Sequence, residues 1–159
     1  MLEKNKELWE RCVAFHGHAC GGLAVGYQAS LYAMELLGVS GRAQDEELVC
    51  VTENDACGVD AVQAVLGCTV GKGNLIFRMT GKQAFNFFDR QSGKGVRLLL
   101  RAPPGLSRQE RESWLMHGDF HEMFDVGPAR AALPETARIF KTCTCAKCGE
   151  RMAESHAHL

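Results

Sequence analysis

Apolar positions in the first part of the chain recur at the period of a helix, and those in the middle alternate as in a strand. Over residues 4–15, Leu8, Cys12 and Phe15 share one face with Trp9 and Val13 beside it, which predicts a helix. A second helix is predicted over 22–37 from Leu23, Tyr27, Leu31, Met34 and Leu37, with Gly38 as its C-terminal stop. Gly26, Ser30 and Ala33 form a small-residue stripe on a neighbouring face. Such a stripe admits close approach of another element, either a partner protomer or a neighbour in the core. Residues 47–53 read as a strand bounded by Asn54-Asp55, and Val59, Val62, Val65 and Leu66 then follow at helical spacing up to Gly67. Leu75, Phe77 and Met79 alternate with polar neighbours over 74–80. Strands at 84–89 and 95–101 are joined by the hairpin-like run 90–94. Pro103-Pro104-Gly105 ends this region, and Ser107 and Glu110 have capping-box spacing for a helix over 107–117. Gly127-Pro128 and Pro134 read as the bounds of a short element, and 137–142 as one more short strand.

This succession predicts an α+β fold, an antiparallel or mixed β-sheet packed with helices, over a core at residues 1–140, with a cysteine-rich tail at 141–159. A chain of 159 residues with 46% apolar content fits one domain with a real core. Its 18 basic and 19 acidic residues give a net charge of -1, which offers no electrostatic case for nucleic acid or an anionic membrane. No apolar run reaches transmembrane length and the first residues lack a signal-peptide core, so a cytoplasmic protein is expected. With no secretion signal, the eight cysteines favour metal binding or thiol chemistry over a disulfide framework. Cys12, Cys50 and Cys68 lie in apolar contexts and are expected to be buried small hydrophobes.

The remaining cysteines fall at turns. Phe15-His16-Gly17-His18-Ala19-Cys20-Gly21-Gly22 puts two imidazoles and a thiol within five residues, among glycines that let the backbone turn sharply. Imidazole nitrogen and thiolate sulfur suit zinc or another divalent transition metal; the alternative is a Gly-rich turn whose His and Cys are simply packed. Cys57 is expected at a strand-to-helix turn near a helix N-terminus, where free N–H groups favour a thiolate. Asp55 and Asp60 bracket it as supporting acceptors or general bases, Asp55 being equally a helix cap. His117 and His121 stand four apart but read as solvent-facing unless the helix runs through Gly118. In the tail, Cys145-x-x-Cys148-Gly149 has the shape of a zinc knuckle, and Cys143 with His156 or His158 would bring the ligands to four. A site completed by a second protein chain and an empty vestige are the alternatives there.

Two blocks taken together resemble the FmdE family, named after a component of formylmethanofuran dehydrogenase. One is the stretch from Phe15 to Tyr27; the other runs from Asp55 to Gln63 and on through 67–75. The resemblance extends from about residue 8 to 101, and loosely to the knuckle at 145–149. It implies an α+β core with a metal-binding cleft, a C-terminal zinc-ribbon-like appendage and frequent dimers. His16, His18 and Cys20 match its first motif and Cys57 its second. Cys20-Gly21-Gly22 stands where the family usually has Cys-Pro-Gly, and the appendage is truncated, without its second cysteine pair.

Two functions remain open on these residues. A metal held by some of His16, His18, Cys20 and Cys57 could serve a metalloenzyme or an oxidoreductase-associated component, or Cys57 could act as a nucleophilic thiol with Asp55 or Asp60 moving the proton. Alternatively the site senses or delivers a metal, and the tail docks a larger oxidoreductase. A homodimer without nucleic-acid or membrane partners is expected in either case.

Overall fold

The structure, a computed structural model, describes residues 5–157. Two helices come first, α1 (Lys6–His16) and α2 (Gly21–Leu37), followed by strand β1 (Leu48–Thr52), helix α3 (Gly58–Leu66) and strand β2 (Leu75–Phe77). Strands β3 (Ala84–Asp89) and β4 (Gly95–Leu100) make the hairpin. After them come α4 (Arg108–His117), the short α5 (Phe120–Met123) and β5 (Phe124–Pro128). The five strands form one mixed sheet in the order β2-β1-β3-β4-β5. Only the β1–β2 pair is parallel, because α3 carries the chain across between them. A separate antiparallel hairpin, β6 (Thr142–Thr144) with β7 (Arg151–Ala153), frames the tail.

Helix α2 is the spine. Its sequence is apolar or small nearly all round, and it is buried on nearly every side, between the sheet and the helices α1, α3 and α4. The small-residue stripe is used inside the chain: Ser30 and Ala33 are fully buried, and Gly26 lies against the start of α3. A Cβ on Gly26 would come within 1.9 Å of the Gly58 carbonyl oxygen, and one on Gly58 would come within 3.0 Å of the Gly26 nitrogen. The front of the sheet contributes Phe85, Phe87, Leu98, Cys50 and Leu75 to this core. Cys12, Cys50 and Cys68 are buried within it as expected. Burial pushes the Cys12 thiol up to about 11 and Cys68 to about 12, so both stay protonated packing groups.

The sheet's back face is built differently. Val49, Val51 and Phe88 form a small cluster with Ile76, covered by Ala129 and Ala131 from an irregular strap. The strap is tied down by the Arg90 side chain, which donates to the Pro134 and Glu135 carbonyls, and by Ala137, whose N–H donates to Glu46. These bonds to side chains replace a ladder, so residues 137–141 are not the strand expected there; pairing begins only at Thr142. Conversely, Gly127 and Pro128, read as breakers, close the edge strand β5. On an edge the missing proline N–H leaves no ladder bond unmade. Strand β2 ends at Phe77, short of the expected 80.

Behind this cluster lies a buried ion pair. Arg97 donates from Nε to Glu53 Oε1 at 2.6 Å and from Nη2 to Oε2 at 2.9 Å. Asn86 and Thr80 satisfy the remaining acceptor sites of the carboxylate. Hydrogen bonds from Arg97 hold the Glu53 carboxyl down at about 2, from an ordinary 4.5.

Two outcomes follow from this packing. Gly26→Ala forces a backbone clash and is expected to cost about 3 kcal/mol, lowering Tm by roughly 6–12 °C in thermal unfolding. Glu53→Gln leaves a buried guanidinium unneutralised, an expected loss of about 3–5 kcal/mol at neutral pH. The lowered Glu53 value means that the pair's contribution is complete above pH 4.5 and fades as pH falls toward about 2. Urea unfolding across that range should therefore show the gap between wild type and Glu53→Gln closing with acid.

Candidate metal centre

Three chain turns converge at one end of α2. Helix α1 ends at His16, and Gly17, at φ 97°, takes the left-handed turn that reverses the chain. Cys20 then caps α2 from an extended conformation, its Sγ accepting from the Leu23 N–H at 3.3 Å. The turn from β1 into α3 is set by Asn54, whose side chain accepts from the Ala56 N–H, and it delivers Cys57 to the start of α3. Gly22 faces the arriving thiol: a Cβ there would lie 3.2 Å from Cys57 Cβ and 3.5 Å from its Sγ. The three glycines 22, 26 and 58 thus set how closely α3 approaches, and with it the placement of Cys57.

His16, Cys20 and Cys57 each offer a ligand atom, all within 4.8 Å of one another, and all three residues are partly exposed. His16 Nε2 lies 3.9 Å from Cys20 Sγ. A tetrahedral ion with bonds of about 2.0 Å to nitrogen and about 2.3 Å to sulfur needs donor separations of about 3.5–3.8 Å, so a small inward shift closes the set. The other imidazole nitrogen, Nδ1, is held at 2.7 Å by Asp60 Oδ2, while Gln63 donates to Oδ1. A carboxylate on the far nitrogen fixes the ring and raises the basicity of the nitrogen facing the site, as in carboxylate–histidine–zinc arrangements.

Several expected site residues take different places. His18 is exposed, its ring tilted against that of His16 with centroids 4.6 Å apart, and it is outside the three-donor group. After the left-handed turn at Gly17, His18 lies against the His16 ring on its exposed side without joining the donor group, which alternation alone does not reveal. Asp55 is exposed, and the turn ahead of α3 is closed by Asn54, whose side chain accepts from the Ala56 N–H before the helix begins. Asp60 touches His16 rather than Cys57 through its hydrogen bonds, so its role is to position the ring. The expected lowering of Cys57 is reversed: burial first, and then the adjacent Cys20 thiol, push it above the ordinary thiol value. Its Sγ makes no cap bond, and the one backbone N–H that favours the thiolate is outweighed by burial and by Cys20.

The tail groups do not converge. Among the described residues the only set of three such donors within this reach is the one above. Cys143 turns its thiol to the Met152 carbonyl across the β6–β7 hairpin, Cys148 reaches Glu150, and His156 pairs with Ser155. His158 lies outside the described residues. Cys145 keeps the chemistry of a knuckle: the N–H groups of Cys148 and Lys147 point at its sulfur and hold the thiol below its ordinary value. His117 and His121 face solvent as expected, the helix breaking at Gly118. His121 is held between Asp119 and Glu35, which raise its pKa. The residues missed in the sequence are Gly22 and Gly58, facing each other across the crossing, and Gln63, one turn beyond Asp60 on α3.

A family model described as "FmdE, Molybdenum formylmethanofuran dehydrogenase operon" matches residues 15–148. The chain belongs to the FmdE family. The matched span contains His16, Cys20, Cys57 and the whole Cys145–Cys148 knuckle. A relative from Archaeoglobus fulgidus named "Probable S-adenosyl-L-methionine-binding protein" is 31% identical over 172 residues, covering 88% of this chain and 47% of the relative. The chain therefore spans about half the length of that curated protein. The fold is shared with a crystal structure of a tungsten formylmethanofuran dehydrogenase FmdE-like protein from Syntrophus aciditrophicus. The TM-score is 0.72 at 23% identity, over 96% of this chain and 87% of that one.

Asp60→Asn keeps the shape of the side chain but removes its charge from His16 Nδ1. Zinc affinity, measured by competition with a chromophoric chelator, is expected to fall about 10–100-fold with an unchanged circular dichroism spectrum. An unaltered affinity would show that the carboxylate does not support the ligand.

Proposed function

We propose that this FmdE-family chain is a metal-binding protein whose working centre is a single zinc ion held by His16 Nε2, Cys20 Sγ and Cys57 Sγ, with a fourth position left open. The observation that carries the reading is the convergence of those three donors, with His16 braced from behind by Asp60. One nitrogen and two sulfurs suit a borderline-soft ion, and three protein ligands are the number found at catalytic rather than structural zinc sites. A bound ion with an open position supplies Lewis acidity and a lowered pKa for its water. Around that position the chain's own residues have separable tasks. Asp60 orients His16, Cys20 is steadied by the Leu23 N–H, and His18 stands exposed at the rim, where it can hold or hand over a proton to whatever enters.

The raised Cys57 thiol favours this reading over a thiol enzyme, because a nucleophilic cysteine needs a lowered value, whereas a metal ion displaces the proton of its cysteine ligand. The family's name supports a place beside a larger oxidoreductase; a dimer of this chain and a cytoplasmic location are part of the same proposal. The S-adenosyl-L-methionine in the Archaeoglobus relative's name belongs to a protein only 47% of which is covered by the match.

Metal analysis of the anaerobically purified chain tests the proposal. A Cys143→Ser, Cys145→Ser, Cys148→Ser triple variant is expected to keep about one equivalent of zinc, and Cys57→Ser to lose it while remaining folded. Loss of all metal with the tail thiols would overturn the core centre.

A further inference from the structure

We propose that the face of the sheet turned away from the helices carries a second ligand site, a cleft formed by Arg97, Arg101 and Arg130 around Gly127 that binds a small, multiply charged oxyanion through its phosphoryl or carboxylate groups. Strand alternation places Arg97 and Leu99 on that face of β4, with Arg101 just past its end, while Leu98 is buried in the core. Together with Asp125 and Arg130 they line a cleft of about 260 Å³. In register, Arg97 lies opposite Gly127 on β5, and a Cβ built on Gly127 would meet nothing within 4 Å. The missing side chain leaves room directly beside the guanidinium.

Arg97 is an unusual residue to find there. It is only 4% exposed, and Glu53 holds its Nε and Nη2. Its Nη1 has no acceptor among the described residues, and it is not sealed from solvent either, so it opens into the cleft that Arg97 lines. A buried ion pair contributes little net stability. A guanidinium locked by that pair, with donors to spare, is instead a preorganised half of a bidentate oxyanion contact. Arg130 supplies the opposing wall. Its backbone N–H is fixed by Asn86 Oδ1 at 2.8 Å, and its side chain has no ion-pair partner among the described residues.

The charge balance points the same way. Glu53 offsets Arg97 and Asp125 offsets Arg101, which leaves Arg130 in excess. Arg130 also borders a neighbouring cleft of about 200 Å³ that is lined by Arg78, Thr80 and Lys82, which adds two further cations without partners among the described residues. In a chain of net charge -1 this is a local concentration of cations, and clefts of this size admit a small group rather than a nucleic-acid duplex.

Titrating pyrophosphate, and separately citrate, into the full chain at low ionic strength tests the site, followed by amide shifts in heteronuclear NMR. Saturable shifts confined to Arg97, Gly127, Arg130 and their neighbours are expected for at least one probe, and which one saturates assigns phosphoryl or carboxylate recognition. Arg130→Ala should weaken binding about tenfold or more, since a hydrogen bond to a charged group is lost. Gly127→Val should block the cleft by bulk alone at unchanged charge, while Lys147→Ala in the tail should change nothing. Shifts that rise without saturating for both probes, or binding that is indifferent to both Arg130→Ala and Gly127→Val, would overturn the proposal. Because the cleft and the metal centre lie on opposite sides of the sheet, failure here leaves the zinc reading intact.

Discussion

The approach of α3 to α2 at Gly58 and Gly26 decides where everything else in this protein can stand. Neither position tolerates a Cβ without displacing the other helix's backbone. Glycine within or at the start of a helix costs roughly 0.5–1 kcal/mol relative to alanine, so the set 22, 26 and 58 represents a local loss of about 1.5–3 kcal/mol that packing must offset. The offset comes from the apolar contact this closeness allows, with Val59, Val62 and Tyr27 buried around the crossing. The chemical consequence is larger than the energetic one. Moving α3 outward by the width of a methyl group would carry Cys57 away from Cys20 and Asp60 away from His16. Ligand and supporting carboxylate ride on the same helix, so one close contact sets both.

Two carboxylates illustrate how burial assigns different tasks to the same group. Glu53 is enclosed and saturated with donors, and its charge is spent on fixing Arg97. Asp60 is half-exposed, with one oxygen on His16 and the other on Gln63. The first arrangement fixes a cation on the back of the sheet; the second fixes the orientation of an imidazole on the helix side. In each case the acid acts through its basic partner, and the groups that can meet a ligand are the outward edges of Arg97 and His16.

Much of this was legible in the sequence because the signals were redundant. The long apolar run of α2 with its Gly38 stop, the alternation in β3 and β4, and the Ser107–Glu110 cap each state one structure at two levels at once. His16, Cys20 and Cys57 were legible as a group because their residue types share a chemistry. Which imidazole would serve was not, since that depends on the left-handed turn at Gly17, and an extended and a reversed loop place His16 and His18 differently. Asp55 and Asn54 can each close the turn ahead of α3, and only the fold decides between them. Strand β5 was hidden because Gly127 and Pro128 are breakers everywhere except at a sheet edge, and the false strand at 137–141 arose because its partners, Glu46 and Arg90, are side chains remote in sequence.

The two sulfur-bearing regions differ in what they lack, and that difference is the reason the proposed function is placed in the core. In the tail, N–H groups already stabilise the Cys145 sulfur, yet Cys143 and His156 are engaged elsewhere, so the knuckle presents two thiols. An ion there needs about two more ligands before a structural site closes, and the described part of this chain does not bring them. In the core the donors number three, backed by a carboxylate, and a tetrahedral ion held by them would have one position left to fill. A site that is short by two must borrow from another molecule to exist at all. A site that is short by one can hold its ion unaided and still receive something from outside, which is the condition that metal-centred chemistry requires.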